Sequence, residues 1–242
     1  MAVIVENTIT RMFSDRGGGV STGVYGTGNL SRWVGDDETS VAANRQRLKD
    51  RLAARVLISA RQVHGEQVLL IDEDCQYDQE FAGYDALITR QKKMALMVQL
   101  ADCQGLLLFD PKSATIAAVH CGWRGNVANI IGKTIAQMGN DAGSQATDIQ
   151  AWISPSLGPC CAEFVDYKTI FPPPLWGFQT RDNYFDLWQM STWQLKEAGV
   201  PGAQITPPAI CTCCTRDYFS YRRANREQDG LTGRQGAAIM LA

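Results

Sequence analysis

Three side chains in this 242-residue chain have the chemistry of metal ligands and lie beside apolar runs that are typical of β-strands. Cys103 lies within residues 98–109, which are largely apolar on either side of it, and His120 ends another short apolar run. His64, the second of only two histidines, stands just before the apolar residues 67–71. Two histidines and one cysteine match the three protein ligands that catalytic zinc usually takes. Their wide spacing therefore predicts one metal site assembled from different strands.

The same residues allow a second chemistry. Cys103 could act as a nucleophile with His120 as its base, and the ligand count does not separate this pair from a metal site. Asp102, the neighbour of Cys103 in sequence, is the candidate for proton transfer. Adjacent residues on a strand point to opposite faces, so Asp102 could instead anchor the backbone or a metal ligand.

Arg124 is the first candidate for binding an anionic group of a substrate. It lies two residues before a helix predicted over residues 126–138, and the unpaired N–H groups at a helix start favour anions. Asn44 and Arg45 are the second candidates for substrate or phosphate binding, and they lie in a helix predicted within residues 35–56. A solvated helix face is the alternative for Arg45.

Residues 11–30 are rich in glycine and cannot form a regular helix. They could cradle an anion or a nucleoside, or they could form a plain surface loop. They do not match a known phosphate-binding fingerprint, because no strand is predicted before them and no Gly-Lys-Ser/Thr ends them.

The hydrophobic pattern predicts a chain of short strands and three helices. The predicted helices lie within residues 35–56, 126–138 and 186–199, and the predicted strands are 56–59, 67–71, 86–89, 94–98, 105–109, 114–119, 149–154 and 237–241. Residues 110–113 predict a hairpin turn between two of these strands. Continuous apolar runs indicate strands covered on both faces. We therefore predict an α/β (α+β) fold, a single compact layered domain over residues 1–242 with mixed β-sheets flanked by helices.

Five of the eight cysteines lie in two groups in the sequence, Cys160-Cys161 and Cys211-Thr-Cys-Cys214. The N-terminal apolar run is too short for a secretory signal, which favours a reducing compartment and free thiols over disulfides. We interpret these five as small buried thiols, with a second thiolate site as the alternative.

Composition excludes some classes of function. A net charge of −2 offers no electrostatic case for nucleic acid or an anionic membrane, and no apolar stretch is long enough to span a bilayer. We expect a cytoplasmic protein that acts on small molecules as a monomer.

The sequence around the candidate ligands resembles a known family, the YfiH-type laccase-domain proteins, also called the purine nucleoside phosphorylase/polyphenol oxidase family. The resemblance covers nearly the whole chain in the family's order. Its most specific part is His120-Cys-Gly-Trp-Arg-Gly125. The other matching motifs are Arg16-Gly-Gly-Gly-Val-Ser, Asn29-Leu, Gly35-Asp, Asn44-Arg45, Gln62-Val-His-Gly, Ala101-Asp-Cys103, Gly158-Pro-Cys-Cys161 and Phe219-Ser-Tyr-Arg-Arg223.

The resemblance implies a zinc enzyme, with copper reported for some members, whose metal ligands are His64, Cys103 and His120. It implies phosphorolysis of adenosine, inosine and methylthioadenosine, with some adenosine deamination. Other members are linked to the editing of peptidoglycan precursors, and this hydrolase function, using Cys103 and His120, is the alternative. The glycine-rich loop departs from the family pattern at Gly28 and Trp33, which bears on the substrate more than on the metal.

The name laccase does not decide the chemistry. A multicopper oxidase needs several copper centres and many histidine ligands, and this chain has two histidines. Polyphenol oxidation is therefore at most a side activity.

Overall fold

Two six-stranded sheets pack face to face in the computed structural model, which describes residues 3–6 and 8–242. The strands are β1 (Val3–Glu6), β2 (Ile9–Phe13), β3 (Val56–Arg61), β4 (Val68–Ile71), β5 (Gln79–Ala82), β6 (Ala86–Thr89), β7 (Met94–Leu100), β8 (Gln104–Asp110), β9 (Thr115–Cys121), β10 (Gln150–Ile153), β11 (Gln179–Arg181), β12 (Tyr184–Phe185), β13 (Ile205–Thr206) and β14 (Gln235–Leu241). The α-helices are α1 (Glu38–Leu52), α2 (Trp123–Ala128), α3 (Ile130–Ala142), α4 (Tyr167–Ile170), α5 (Leu187–Glu197) and α6 (Tyr221–Glu227).

Both large sheets are mixed. The first has the strand order β1-β2-β14-β7-β3-β5, in which β3 is parallel to β5 and β7 while β14 is antiparallel to both of its neighbours. The second has the order β13-β10-β8-β9-β6-β4, with an antiparallel hairpin of β8 and β9 at its centre. A small two-stranded sheet joins β11 and β12. The predicted fold class, a layered α/β domain with mixed sheets, is confirmed.

Alternating side chains of the buried strands serve two different cores. On β7, Leu96 and Val98 pack between the two sheets, whereas Met97 faces α1. On β8, Leu107 packs between the sheets and Leu106 packs against α3. Each strand therefore buries both of its faces, which explains the continuous apolar runs and confirms that helices flank the sheets.

Two of the predicted helices are confirmed, with caps that explain their ends. Asp37 caps α1 by accepting a hydrogen bond from the Ser40 N–H, and α1 ends before Ala53, whose φ of 53° is left-handed. Asp186 caps α5 in the same way, accepting from the Gln189 N–H. The hairpin turn predicted at 110–113 is also confirmed, because Asp110 on β8 pairs with Thr115 on β9.

The single helix predicted over residues 126–138 is wrong in its bounds. The structure divides the segment into α2, which begins three residues earlier, and α3. Asn129 separates them with a left-handed φ of 54°, and its side chain caps α3 by accepting from the Gly132 N–H. Asparagine tolerates this conformation better than most residues, and its side chain replaces the broken helical hydrogen bond.

The glycine-rich residues 11–30 also differ from expectation at their start. The strand β2 runs to Phe13 and leads directly into them, although no strand was predicted there. The loop that follows is held by Asn44 of α1, whose side-chain amide donates to Ser21 Oγ and to the carbonyl oxygens of Thr27 and Asn29. No helix in the described part of the chain is both long and apolar enough to cross a membrane.

Candidate metal centre and active site

The three predicted ligands converge. His64 lies in the loop between β3 and β4, Cys103 in the turn between β7 and β8, and His120 in β9. One ligand atom from each residue lies within 4.8 Å of the others. The two imidazole rings are nearly perpendicular, with their centroids 4.8 Å apart. Such a His₂Cys set can hold one metal ion and leave a position open for substrate.

Asp85 orients His120. Its Oδ1 lies 2.7 Å from His120 Nδ1, and its own carbonyl accepts the His120 backbone N–H at 2.7 Å. Asp85 is fully buried and His120 almost so. With Nδ1 bound to the carboxylate, Nε2 is the ring nitrogen available to a metal, which is the usual arrangement of a metal-binding histidine.

The same carboxylate shapes the loop that carries His64. Three successive backbone N–H groups, those of Val63, His64 and Gly65, donate to the two oxygens of Asp85 at 2.8–3.1 Å. His64 has a left-handed φ of 59°, a conformation that a non-glycine residue holds only when its surroundings favour it. Although burial by itself would raise the pKa of Asp85, the bonds from His120 and these N–H groups hold it below its ordinary value.

Gly122 allows the turn that carries Cys103 to lie close against the backbone that follows His120. A Cβ at position 122 would lie 2.8 Å from Cys103 Sγ, which is shorter than any real contact of this kind. A side chain at this position would therefore displace the thiol from the two histidines.

The three groups interact electrostatically even without a metal. Burial would raise the pKa of the Cys103 thiol, but His120 and His64 lower it to about 6. Burial would lower the pKa of His120, but Cys103 and Asp85 raise it to about 9. A thiolate is thus favoured at neutral pH, which suits both a metal ligand and a nucleophile.

Two cavities meet at the cluster, and both include His64, Cys103 and Arg124. One has a volume of about 490 Å³, and three arginines are among the residues that line it, Arg61, Arg124 and Arg234. Among residues 3–6 and 8–242, no carboxylate lines it. The other has a volume of about 400 Å³. Besides polar side chains such as Asp102 and Arg222, it is lined by aromatic and apolar ones, including Trp123, Leu157, Phe164, Leu187 and Tyr221.

The structure places Arg124 where the sequence predicted it, near His120. It lies in the first turn of α2, exposed, with its guanidinium 4.3 Å from the centre of the Trp123 ring. Asn44 and Arg45 lie elsewhere, and neither is among the described side chains that line the two cavities. Asn44 holds the glycine-rich loop, so its hydrogen-bonding capacity is already used.

Arg45 is buried rather than solvated. Its guanidinium donates to the Leu30 carbonyl and to Ser59 Oγ, and it forms an ion pair with Glu80 at 2.7 Å. Because the partners of Arg45 and Asn44 are all internal to the fold, we assign neither residue to phosphate binding.

Asp102 is held by its surroundings on both oxygens. Oδ1 accepts from the Thr212 hydroxyl at 2.7 Å and Oδ2 accepts from the Arg222 N–H at 2.6 Å. Its φ is 82°, so the backbone turns sharply just before Cys103. These contacts favour the anchoring role over proton transfer.

Sequence reasoning missed Asp85 and Arg234. Both directly precede buried strands, as Asp85 comes before β6 and Arg234 comes one residue before β14. The available signal was a charged residue next to an apolar run, which resembles the pattern that singled out His64, Cys103 and His120.

The fold and the His₂Cys cluster define a class of single-domain α/β proteins with a candidate metal centre at the strand ends. A sequence model of the family described as "Multi-copper polyphenol oxidoreductase laccase" matches residues 10–242. The chain belongs to this family, which includes the YfiH-type proteins.

Relatives with curated names support the match over nearly the whole chain. A purine nucleoside phosphorylase of Bacteroides thetaiotaomicron is 32% identical over 235 residues, covering 90% of this chain and 87% of the relative. One of Corynebacterium glutamicum is 33% identical over 240 residues, covering 96% and 94%.

Solved structures share the fold. The hypothetical protein YfiH of Bacillus licheniformis superposes with a TM-score of 0.86 at 25% identity, covering 97% of this chain and 93% of that one. YlmD of Geobacillus stearothermophilus gives a TM-score of 0.84 at 28% identity, covering 96% and 92%.

The residues of this chain fit one metal ion at the His₂Cys cluster better than several coppers. Both histidines are already used there. The fit to a single ion rests on the donor set and on Asp85, which leaves His120 Nε2 available.

Proposed function

We propose that this protein is a metal-dependent purine nucleoside phosphorylase that acts on adenosine, inosine and methylthioadenosine and also deaminates adenosine. The main support for this proposal is the position of the His₂Cys cluster, which lies between an arginine-lined cavity and one with aromatic side chains. The names of the relatives support the same activity.

The two cavities suit the two groups that the reaction must hold, the purine base and the phosphate. An aromatic pocket favours a purine ring, because large flat apolar side chains bury and stack against it. Phosphate favours guanidinium groups, which donate paired, charge-assisted hydrogen bonds. We assign the phosphate to the cavity with Arg61, Arg124 and Arg234, and the base to the cavity with Trp123 and Phe164.

Phosphorolysis exchanges one bond at C1′ of the ribose for another. The glycosidic bond breaks, its electron pair leaves with the base, and a phosphate oxygen bonds to C1′. Holding both reactants beside the cluster would lower the entropic part of the barrier. A zinc or copper ion held by His64, Cys103 and His120 would supply Lewis acidity.

Incubation with nucleoside and phosphate tests the proposal. Inosine with phosphate should give hypoxanthine and ribose 1-phosphate, whereas inosine alone should stay intact. Adenosine should give adenine and ribose 1-phosphate with phosphate, and inosine without it. Methylthioadenosine should release adenine only when phosphate is present. Absence of turnover with all three nucleosides in the metal-loaded protein would reject the proposal.

The position of Cys103 beside His120 and the lowered pKa of its thiol favour a second candidate, a Cys-His hydrolase. The family resemblance supplies its substrate class, peptidoglycan precursors. Metal removal distinguishes the two. A phosphorylase that needs the metal should lose activity on chelation and regain it with zinc, and bound metal should protect Cys103 from alkylation. A hydrolase should cleave a muramyl precursor without metal, and a covalent adduct of the substrate on Cys103 should be detectable.

A further inference from the structure

Four cysteines outside the proposed active site form a second cluster. Cys160 and Cys161 lie in the turn that follows β10, and Cys211 and Cys214 lie in the turn before α6. One sulfur from each lies within 4.8 Å of the others, although the two pairs are about fifty residues apart in sequence. The interpretation of these residues as buried thiols is wrong, since Cys160 and Cys214 are exposed and Cys161 and Cys211 are half-buried.

The sulfur separations are close to those of a tetrahedral zinc site. Cys214 Sγ lies 3.5 Å from both Cys160 Sγ and Cys161 Sγ. Four sulfurs bound to zinc at about 2.3 Å are separated by about 3.8 Å along each edge of the tetrahedron. Small side-chain shifts would therefore complete the coordination. All four cysteines are free in the structure, and the 3.5 Å separations from Cys214 are much longer than a disulfide bond of about 2.05 Å.

The backbone around Cys211 is arranged for a thiolate. The Gly158 N–H donates to Cys211 Sγ at 3.3 Å. A Cβ on Gly158 would lie 3.0 Å from Cys211 Cβ and 3.1 Å from the Trp188 ring, so only glycine fits this approach without displacement. Hydrogen bonds from backbone N–H groups to sulfur stabilise its anionic form and are typical of metal-bound cysteine.

We propose that Cys160, Cys161, Cys211 and Cys214 bind a zinc ion through four thiolates, as a closed structural site separate from the His₂Cys centre. Each thiol releases its proton to solvent as its sulfur binds. Four sulfur ligands leave no open position for substrate, so this zinc joins segments of the chain rather than taking part in the reaction.

The two joined segments are those that hold Asp102. The Leu157 N–H, three residues before Cys160, donates to the Asp102 carbonyl at 2.8 Å. Thr212, next to Cys211, donates its hydroxyl to the Asp102 carboxylate at 2.7 Å. Because Asp102 precedes Cys103, the second cluster braces the turn that carries a ligand of the first.

Metal content of purified variants tests the proposal. Protein produced with added zinc and kept reduced should contain about two zinc ions per chain, one at each cluster. Cys161→Ser and Cys214→Ser should each lose one zinc and lower the thermal midpoint. Cys213→Ser is the matched control, since Cys213 lies in the same turn but outside the cluster, and it should keep both ions. Cys103→Ser should keep the second zinc, so the count does not depend on activity.

X-ray absorption on the Cys103→Ser protein provides a test that leaves the second cluster intact. Its remaining zinc should show a shell of about four sulfurs at about 2.3 Å and no nitrogen. A Cys161→Ser and a Cys214→Ser protein that both keep the wild-type zinc content would overturn the proposal. So would a Cys103→Ser protein without zinc, or a disulfide among the four cysteines in the reduced protein.

Discussion

Asp85 and His120 are joined through both side chain and backbone. The carboxylate lies 2.7 Å from the His120 ring nitrogen Nδ1, and the His120 N–H donates to the Asp85 carbonyl at the same distance. Since the carboxylate also accepts the N–H groups of residues 63–65, one buried side chain positions two of the three proposed metal ligands.

We predict that Asp85→Asn weakens metal binding by about 10–100-fold, the usual effect of losing a residue that orients a metal ligand. The amide brings a donor against N–H groups and leaves some of them without an acceptor, which should also cost about 1–3 kcal/mol of stability. Zinc affinity can be measured by competition with a chromophoric chelator, and stability by urea unfolding.

Asp110→Asn is the matched control for this change. Asp110 is as buried as Asp85 and accepts the Lys112 N–H and the Ser113 hydroxyl, but it lies at the far end of β8. The Asp110→Asn protein should be less stable than the wild type but should keep its metal affinity. Equal loss of affinity in both variants would show that general destabilisation is the cause.

Arg124→Ala should raise the KM for phosphate by about 10–100-fold, since a hydrogen bond to a charged group contributes about 1.5–3 kcal/mol. The KM for inosine should rise less than the KM for phosphate, because Arg124 also lines the other cavity but we place the base there against its aromatic side chains. Initial rates with each substrate varied in turn measure both constants. Arg55→Ala, at an exposed arginine paired with Asp74, should leave both constants unchanged. If Arg124→Ala raised only the KM for inosine, phosphate would have to bind away from Arg124.

The buried Arg45–Glu80 pair should make stability depend on acid pH. Burial would raise the pKa of Glu80, but Arg45 and the hydrogen bonds from Trp33 and Gln99 hold it below its ordinary value of 4.5. Its contribution is therefore fully present above about pH 4.5 and is lost as the pH falls through the lowered pKa. Glu80→Gln should lower the free energy of unfolding by roughly 3 kcal/mol at pH 7, because Arg45 stays buried without a counter-charge. It should also make stability fall less steeply as the pH is lowered.

Urea unfolding of Glu80→Gln from pH 7 to about pH 3 measures both effects. Glu66→Gln is the control, as Glu66 pairs with Lys133 at the surface and should change stability by less than about 1 kcal/mol. If the stability of Glu80→Gln fell as steeply at acid pH as that of the wild type, other groups would be responsible for the pH dependence.

Asp102 is predicted to position Cys103 rather than to carry a proton. Thr212→Val removes one of its two side-chain hydrogen bonds and should lower kcat about fivefold, as expected for the loss of about 1 kcal/mol of positioning. Asp102→Asn should act in the same direction with an unchanged shape of the pH–rate profile. If Asp102 were the proton carrier, Asp102→Asn would remove one limb of the profile, and Thr212→Val would not.

Much of the layered fold was predictable because hydrophobic pattern is a local property. Runs such as residues 94–98 and 105–109 are apolar at every position, which indicates strands with both faces covered. The edge strands β5 and β13 were missed since they are short and only partly buried. The break at Asn129 was missed because one left-handed residue leaves the helical spacing of apolar residues almost unchanged.

The sequence by itself determined which residues could bind a metal, because two histidines and a cysteine beside strands are visible without a structure. Only the tertiary structure decided what surrounds them. Asp85 and the four-cysteine cluster depend on contacts between segments tens of residues apart, and Arg45 is buried because β5 brings Glu80 beside it. Such contacts follow from how sheets and helices pack, which residue types and local spacing do not specify.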